Sequence, residues 1–440
     1  MTVIGLDDTD SRERGMCTTY LAARLAEAVQ AAGAAVTRTL LVRLNPAVEH
    51  KTRGNAALAV HAEIGPDRAL GLAREAVEQA ATGDPETNPG VVVADCDPDA
   101  VPLSVAGFAR GAVRGVRSPA TARSLADRAG WSTVERGTGR GVVGALAAVG
   151  AWRAGGGTGV DRKGDPADRG WTHESIAYRE RQRWGTERRV DRDSVFAAAE
   201  ASYPAVWDTV DRVERAAVCV PRTPCPVLYG IRGDDPGTVE DVAARIGDAD
   251  GTEPVARRHT FVTNQGTDAH LRTARVGAVR EGRAYRVTGE VVDPPTTREG
   301  GHVFLTIRGK AGGTDLRCVA FEPTKRFRDR VRALRVGDRI TVCGEVDDGT
   351  LKLEKFAARE LVRTEATTPD CPDCGRSMAS AGRDQGYRCR DCGRRADGKV
   401  RRAIDREIEA GWYEVPPVAR RHVAKPLVRG GFDAPTHPER

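Results

Sequence analysis

Apolar and polar positions along the first 272 residues predict strands and helices in alternation. Val3 to Leu6 is a short apolar run typical of a buried strand, and Leu21, Leu25 and Val29 then recur at the spacing of one helical face. The further predicted strands lie at 36–44, 57–64, 91–94, 131–135, 227–231 and near 261. The further predicted helices lie at 66–81, within 141–152 and in a segment that extends to about residue 215. This order indicates an α+β fold for residues 1–272.

After about residue 273 the pattern changes to short strands. Five apolar segments lie at 285–292, 303–307, 316–321, 340–346 and 351–356, and a helical stretch at about 325–334 falls between the third and the fourth. Five strands with a helix in that position are the order of an OB-fold β-barrel. Another small barrel is the alternative. We therefore predict an OB-fold over residues 274–363.

Length and charge argue against a membrane protein but identify no partner. The 440 residues suggest about three domains. The longest nearly apolar run, Gly141 to Trp152, has twelve residues, whereas a membrane-spanning helix needs about 20. Because the first residues also contain no apolar signal core, we expect a cytoplasmic protein with no membrane partner. The net charge of +6 is too small to indicate nucleic acid by itself.

Four of the ten cysteines form two C-x-x-C pairs separated by fourteen residues. These pairs are Cys371 with Cys374 and Cys389 with Cys392. Two such pairs offer four thiolates to one tetrahedral Zn²⁺ and leave no open coordination position, which is typical of a structural site rather than a catalytic one. A redox pair is the alternative. We predict a zinc ribbon over 369–393, followed by a basic C-terminal tail over 394–440.

Three carboxylates follow the first strand on one short loop. Asp7, Asp8 and Asp10 repel one another unless a cation lies between them, and hard carboxylate oxygens suit Mg²⁺. The next helix begins near Thr18, so its unpaired N–H groups face the same loop and could bind phosphate. Together these are parts of a phosphoryl-transfer site. An acidic turn capped by Thr18 is the equally weighted alternative.

A glycine-rich loop lies between a predicted strand and a predicted helix. It contains Gly137, Gly139, Arg140, Gly141 and Gly144, and its last six residues match G-x-G-x-x-G. We favour a phosphate-binding loop. A dinucleotide site and close packing of the helix on a strand are the alternatives.

Several motifs in a fixed order resemble the archaeal isoleucine-tRNA 2-agmatinylcytidine synthetases. The motifs are IGLDDTDSRERGMCTTYLA at 4–22, GTGRGVVGALAAVGA at 137–151, VLYGIRGD at 227–234 and FVTNQGTDAH at 261–270. An OB-fold and a terminal zinc ribbon follow them, as in that family. The resemblance therefore covers nearly the whole chain.

The resemblance implies an ATP-dependent ligase that modifies an isoleucine tRNA with the anticodon CAU. Such enzymes join agmatine to C2 of the wobble cytidine, so that the tRNA reads AUA, and they form AMP and pyrophosphate from ATP. They first convert the C2 oxygen to a phosphate ester, which the amine then displaces. The resemblance also implies a division of residues 1–272 into kinase-like parts, about 1–60 and 136–215, and a ferredoxin-like remainder.

The resemblance assigns roles to residues by motif match. It implies catalytic roles for Asp7, Asp8, Asp10 and Thr18, of which Thr18 becomes phosphorylated. ATP is expected to contact the set Gly15, Thr19, Gly137, Gly139, Arg140, Gly141 and Gly144. Because agmatine carries a guanidinium and an amine, its pocket should contain carboxylates. The candidates are Asp161, Asp208 and Asp211, the last two on one helical face if that segment is helical.

Two other classes of function remain open at this stage. An OB-fold with a zinc ribbon also describes a non-catalytic protein that binds single-stranded nucleic acid. Such a protein would bind without consuming ATP, and the acidic loop and the glycine loop argue against it. Nucleotide-dependent redox chemistry at 139–144 would instead predict a bound coloured or fluorescent cofactor.

Overall fold

The computed structural model describes residues 1–11, 15–49, 54–80, 84–155, 170–310 and 313–440. The α+β region contains eleven described strands: β1 (Thr2–Asp7), β2 (Val36–Arg43), β3 (Ala56–Ala62), β4 (Gly90–Ala94), β5 (Ser132–Glu135), β6 (Thr172–Arg179), β7 (Val206–Trp207), β8 (Val210–Asp211), β9 (Ala216–Ala217), β10 (Val227–Gly233) and β11 (Val255–Thr263). The described α-helices of this region are α1 (Thr18–Ala31), α2 (Pro66–Glu78), α3 (Leu103–Arg114), α4 (Pro119–Arg128), α5 (Val142–Ala154), α6 (Arg192–Ser202) and α7 (Pro236–Gly247).

Nine of these strands form one sheet made of two antiparallel halves. The order is β5-β4-β1-β3-β2-β11-β6-β10-β7, and the halves meet where β2 and β11 run parallel, with Leu40 beside Val262. Successive residues of a strand face opposite sides of the sheet. On β1, Val3 packs in the core beneath α3, α4 and α5, whereas Ile4 packs in the core beneath α1 and α2. The end of β1 therefore lies inside the sheet.

Local sequence signals determine where several helices begin. Ser118 precedes Pro119 and accepts a hydrogen bond from the Thr121 amide at 3.2 Å, and Asp235 before Pro236 caps α7 in the same way. A polar cap followed by proline at the first helical position is a favourable start because proline has no N–H to satisfy there. Gly33, which adopts a φ of 80°, follows the end of α1.

The predicted helical segment up to residue 215 is wrong in most of its length. Residues 172–179 form β6, which lies between β10 and β11 in the sheet. Only α6 is α-helical in the described part of this segment, and β7, β8 and the extended residues around them follow it. Pairing with two neighbouring strands stabilises β6, and this tertiary contact is not visible in the local sequence pattern.

The second region is a closed five-stranded barrel, as the OB-fold prediction requires. Its elements are β13 (Arg283–Thr297), β14 (Val303–Arg308), β15 (Asp315–Ala320), α8 (Phe327–Arg332), β16 (Arg339–Asp347) and β17 (Thr350–Glu360). The preceding strand β12 (Leu271–Ala274) pairs with β13 outside the ring. The ring closes because β13 pairs with both β14 and β16, and β17 pairs with both β15 and β16. Helix α8 falls between the third and fourth strands, and its Phe327 is fully buried in the barrel core.

The remaining described strands belong to the ribbon and to the C-terminal segment. They are β18 (Thr364–Thr367), β19 (Ala379–Ser380), β20 (Tyr387–Arg388), β21 (Arg395–Ala396), β22 (Val400–Ala403), β23 (Gly411–Glu414) and β24 (Thr436–His437). Single-turn 3₁₀ helices lie at Arg181–Arg183, Val276–Ala278, Glu299–Gly301, Glu322–Thr324, Pro417–Ala419 and Leu427–Arg429.

Residues 394–440, predicted as a tail, do not project from the protein. Strand β23 pairs with β17 of the barrel, and Trp412 is buried. Arg406 forms a buried ion pair with Asp338 at 2.6 Å, and Lys355 on the barrel donates to the backbone oxygen of Lys425. The C-terminal segment is thus part of the packed structure, because its apolar and charged side chains have partners in both other regions.

Among the residues described, no helix combines the length and the apolar character that crossing a membrane requires. The division of residues 1–272 into kinase-like parts, about 1–60 and 136–215, and a ferredoxin-like remainder stays a prediction.

Burial of His61 on β3 makes the stability of the fold sensitive to acid. Burial, and then the neighbouring Arg38, lower the pKa of His61 from 6.5 to about 3. The unfolded chain binds a proton below pH 6.5 whereas the folded chain does not, so this group's contribution is lost as the pH falls from 6.5 towards 3. As the pH decreases, the unfolding free energy of His61→Gln should fall less steeply than that of the wild type. We expect the two slopes to differ by about 1.4 kcal/mol per pH unit. Denaturant unfolding between pH 6.5 and 5 would measure it, and parallel curves for the two proteins would contradict it.

Candidate active site and metal centre

The acidic loop begins where β1 ends, and β1 lies between β3 and β4 in the sheet. Asp8 adopts a φ of 56°, and its amide donates to Asp7 Oδ1 at 2.7 Å. Burial and the negative charge of Asp8 raise the pKa of Asp7 well above its usual value. Burial also raises the pKa of Asp8, against the opposing effect of Arg140, whose Nε lies 2.8 Å from Asp8 Oδ2. The loop therefore concentrates negative charge, and Arg140 offsets part of it at Asp8.

Thr18 is the first residue of α1 rather than its cap. Cys17 occupies the cap position, and no side chain accepts a capping hydrogen bond there. The Thr18 hydroxyl donates instead to Asp10 Oδ1 at 3.3 Å. The alternative in which Thr18 caps an acidic turn is therefore wrong. The amino-terminal end of α1, which carries the positive end of the helix dipole, faces the acidic loop.

The glycine loop combines turn residues with positions of close packing. Gly137 and Gly139 adopt φ values of 60° and 67°, which favour glycine. At Gly144, a β-carbon would overlap the carboxylate of Asp7, and at Gly141 it would overlap the backbone of Gly90. Close packing of α5 against β1 and β4, one of the alternatives, therefore accounts for Gly141 and Gly144.

A cavity of about 820 Å³ unites most of the predicted site residues, a volume within the usual range for ligand pockets. The predicted residues that line it are Asp7, Asp8, Asp10, Thr18, Thr19, Arg140, Gly141 and Gly144. Gly15, Gly137 and Gly139 belong to the same loops but are not among the lining residues.

The same cavity is lined by a buried charge cluster that the sequence did not reveal. Glu174 on β6 lies 3.1 Å from Arg232 on β10 and 4.0 Å from Arg43 on β2. Burial lowers the pKa of Arg43 to about 10, although Glu174 opposes this effect. The charges of Arg232 and Arg43, together with burial, hold the pKa of the nearby His422 well below its usual value. The cavity thus combines the acidic loop with a cluster of two arginines and one glutamate.

Two of the three predicted agmatine carboxylates, Asp208 and Asp211, lie outside the large cavity. Asp208 pairs with Arg420, and the fully buried Asp211 lies 3.3 Å from Arg326. Neither lines the large cavity, and neither is on a helix. Their placement argues against a role in agmatine binding, since the arginines already occupy both carboxylates. Asp161 lies outside the described residues.

The four paired cysteines form a preformed tetrahedral thiolate site. The sulfur atoms of Cys371, Cys374, Cys389 and Cys392 all lie within 4.8 Å of one another. This is the only group of three or more potential metal ligands with such proximity in the part of the chain that the structure describes. Four sulfur donors at this spacing fit Zn²⁺, which is held by four ligands in structural sites.

We expect the purified protein to contain one equivalent of zinc. Cys389→Ser should lose the metal because it removes one of four ligands, whereas Cys96→Ser, which changes a half-buried cysteine outside the cluster, should retain it. Elemental analysis of the three dialysed proteins measures the difference. Equal zinc contents in the two variants would contradict the assignment.

A cavity that contains carboxylates and arginines, joined to an OB-type barrel and a four-cysteine ribbon, defines this chain as a multidomain α+β enzyme. Family models described as the TiaS TCKD domain, the TiaS FLD domain and the TiaS C-terminal zinc ribbon domain match residues 3–72, 139–270 and 368–408, respectively. The chain belongs to the TiaS family.

Relatives and solved structures extend this similarity over the full length. The chain is 52% identical to the tRNA 2-agmatinylcytidine synthetase TiaS of Haloquadratum walsbyi, over 100% of both proteins. It superposes on a crystal structure of TiaS in complex with its isoleucine tRNA and ATP with a TM-score of 0.85 and 39% identity, covering 100% of this chain and 99% of that one. For the complex of TiaS with the same tRNA, AMPCPP and agmatine, the TM-score is 0.83 and the identity 37%, with the same coverage.

Proposed function

We propose that the large cavity is where this chain joins agmatine to C2 of the wobble cytidine in the CAU anticodon of isoleucine tRNA. The chain is an ATP-dependent tRNA-modifying ligase, and its product is 2-agmatinylcytidine. The observation that carries the proposal is the meeting of Asp7, Asp8, Asp10 and Thr18 in one cavity with the Arg43–Glu174–Arg232 cluster. A non-catalytic nucleic-acid-binding protein is not favoured, because TiaS structures contain ATP or its analogue and agmatine.

The acidic loop and the start of α1 are our proposed site for the ATP phosphates. The helix end supplies amide donors, and Arg140 supplies a guanidinium beside Asp8. The carboxylates of Asp7, Asp8 and Asp10 do not form a closed cluster of ligands. Such an open arrangement fits Mg²⁺, which usually takes one or two carboxylates together with substrate phosphates and waters. Bound there, Mg²⁺ would neutralise phosphate charge.

Thr18 is our proposed acceptor of a phosphoryl group. Its hydroxyl oxygen would form a bond to phosphorus while a phosphoanhydride bond breaks, and its proton would pass to Asp10. The hydrogen bond of 3.3 Å from Thr18 Oγ1 to Asp10 Oδ1 supports this direction of proton transfer. An ionised Asp10 has no proton to donate, so the Thr18 hydroxyl must be the donor and points at the carboxylate that would take its proton.

The cytidine C2 oxygen must become a better leaving group before an amine can replace it. Transfer of the phosphoryl group from Thr18 to the C2 oxygen would form a phosphate ester as the bond from Thr18 to phosphorus breaks and its hydroxyl is restored. The amine of agmatine then bonds to C2 while the bond from C2 to the oxygen breaks. The oxygen then departs with the phosphate. The amine loses a proton as it attacks, and a carboxylate in the cavity would accept it. Asp161 remains the carboxylate that we propose for agmatine.

Labelled agmatine tests the proposed reaction directly. The protein should incorporate label into a transcript of isoleucine tRNA with the anticodon CAU only when ATP is present. A transcript that differs only in having the anticodon GAU is the matched control, because it lacks the wobble cytidine. Equal labelling of both transcripts, or none of either with zinc-loaded protein, would overturn the proposal.

A further inference from the structure

Four arginines gather beside the mouth of the cavity without a carboxylate partner. Arg114 and Arg117 lie at the end of α3 and in the connection to α4, while Arg272 lies on β12 and Arg283 begins β13. Within the described residues none of the four has a carboxylate oxygen within 4.0 Å. Together with Val116, they are called the entrance surface below.

Packing details show that the two regions of the protein converge at this surface. The guanidinium of Arg117 lies directly over Gly111 on α3, where a β-carbon would collide with it. The Nε of Arg283 would lie 3.7 Å from a β-carbon on Gly115, so the first barrel strand approaches the loop between α3 and α4. Arg114 Nε donates to the backbone oxygen of Ala269 at 2.9 Å. These contacts place guanidinium groups from both regions side by side.

Asn45, which follows β2, anchors the end of α3 and the start of the barrel beside the entrance surface. The Asn45 amide donates to Ala112 O at 2.9 Å, and Asn45 Nδ2 donates to Gly282 O at 3.0 Å. Asn45 is buried, and it therefore ties the end of β2 to both α3 and the residue before β13. The entrance surface is held in place by this bridge rather than by ion pairs of its own.

The charges at the entrance surface repel one another. Burial, followed by Arg272 and Arg283, lowers the pKa of Arg117, and burial, followed by Arg272 and Arg110, lowers that of Arg114. Among the residues that the structure describes, the buried Nε of Arg272 has no hydrogen-bond partner. Half-buried cations in mutual repulsion, with a donor unpaired, are costly unless an anion binds them. The surface is therefore complementary to negative charge.

Val116 adds an apolar group at the same place. Its side chain is 64% exposed although it lines the cavity together with Arg117. Nucleic-acid-binding proteins often insert an apolar side chain as a wedge beside a base that has lost its stacking neighbour. The exposed aliphatic side chain of Val116, which lies between arginines, resembles such a wedge.

We propose that the entrance surface binds the phosphates on either side of the nucleotide that enters the cavity, with Val116 against the base next to it. This inference rests on the proposed function, because that function makes an RNA strand the occupant. Arginine forks bind phosphate oxygens in pairs, and arginines from two regions can hold consecutive phosphates of one strand. A base that leaves its stack for an enzyme pocket requires such a grip on its backbone.

Binding of the tRNA at several salt concentrations tests the arginines. We expect Arg117→Gln and Arg272→Gln each to weaken binding about tenfold at low salt and to reduce the slope of log K against log salt by about one. Arg272→Lys should retain the slope because it retains the charge. Arg74→Gln, an exposed arginine on α2 on the opposite face of the sheet, is the matched control and should behave as wild type. Thermal unfolding confirms that each variant is folded.

Fluorescence of 2-aminopurine tests Val116. The probe replaces the adenine beside the wobble cytidine, where its emission rises when stacking is lost. We expect Val116→Ser to change the emission of the bound tRNA while the affinity stays within about threefold of wild type. Wild-type emission in the variant would overturn the role of Val116, and unchanged affinity and salt slope in both glutamine variants would overturn the role of the arginines. Both readouts are independent of agmatine incorporation, so failure of the proposed function would be seen separately.

Discussion

Replacing Thr18 by valine should reduce agmatine incorporation by at least about a thousandfold. Valine keeps the shape of threonine but removes the hydroxyl that donates to Asp10 and that we propose accepts the phosphoryl group. The lost hydrogen bond should cost only about 1 kcal/mol of stability, so the fold should remain. The measurement is the initial rate of labelled agmatine incorporation at saturating ATP, together with transfer of label from ATP to the protein.

Thr18→Ser is the matched control because it restores the hydroxyl at the same position. It should recover a substantial part of the rate and the labelling of the protein. If the valine variant is labelled by ATP and active at the wild-type rate, Thr18 has no chemical role, and its hydrogen bond to Asp10 is only structural.

Replacing Gly144 by alanine should both destabilise the protein and remove activity. The new methyl group would overlap the Asp7 carboxylate, so α5 must move away from β1 or Asp7 must leave the cavity. Overpacking of this kind costs about 1–3 kcal/mol, and displacement of Asp7 disturbs the acidic loop. Denaturant unfolding and the initial rate of agmatine incorporation measure the two effects.

Gly71→Ala provides the comparison for Gly144→Ala. Gly71 is also a helical glycine, but it is exposed on α2 and has no atom within 4 Å of its hypothetical β-carbon. Alanine there should raise the free energy of unfolding by about 0.5–1 kcal/mol, since it restricts the unfolded chain, and should leave activity unchanged. Equal effects of the two substitutions would show that helix propensity, rather than contact with Asp7, governs Gly144.

Features that depend on local spacing could be predicted from the sequence. The two C-x-x-C pairs identify the ribbon because the type of ligand and the ligand spacing are both visible in one short segment of the sequence. The five strands of the barrel and α8 likewise follow from alternation and from turn residues in one continuous segment. The strand-loop-helix unit around Asp7 and Thr18 was predictable for the same reason, and Thr18 does begin α1.

Features that depend on distant pairing could not be predicted. Glu174, Arg43 and Arg232 meet only because β2 and β11 join the half-sheets and β6 lies between β10 and β11. Only Arg232 lies in one of the motifs, at 227–234, and no local pattern indicates that a charge is buried against another one far along the chain.

The prediction of a helix around Asp208 is wrong for a different reason. Val206, Val210 and Val213 recur at a spacing compatible with a helix, yet Asp208 adopts a φ of 56° and interrupts any regular structure. Buried pairing with Arg420 of the C-terminal segment holds Asp208 in place. That segment was itself predicted to be a tail, so its contribution to the fold was invisible in the sequence.

The central claim is that the cavity activates the wobble cytidine by phosphorylating its C2 oxygen before agmatine displaces it. A transcript that carries ¹⁸O at C2 of that cytidine tests this claim most directly, with mass spectrometry of all phosphate-containing products. The account predicts that ¹⁸O appears in the released phosphate products, as inorganic phosphate or within pyrophosphate, with one ¹⁸O for each 2-agmatinylcytidine formed and none in AMP. Recovery of the ¹⁸O in AMP, which would require an adenylylated base, or in water would contradict it.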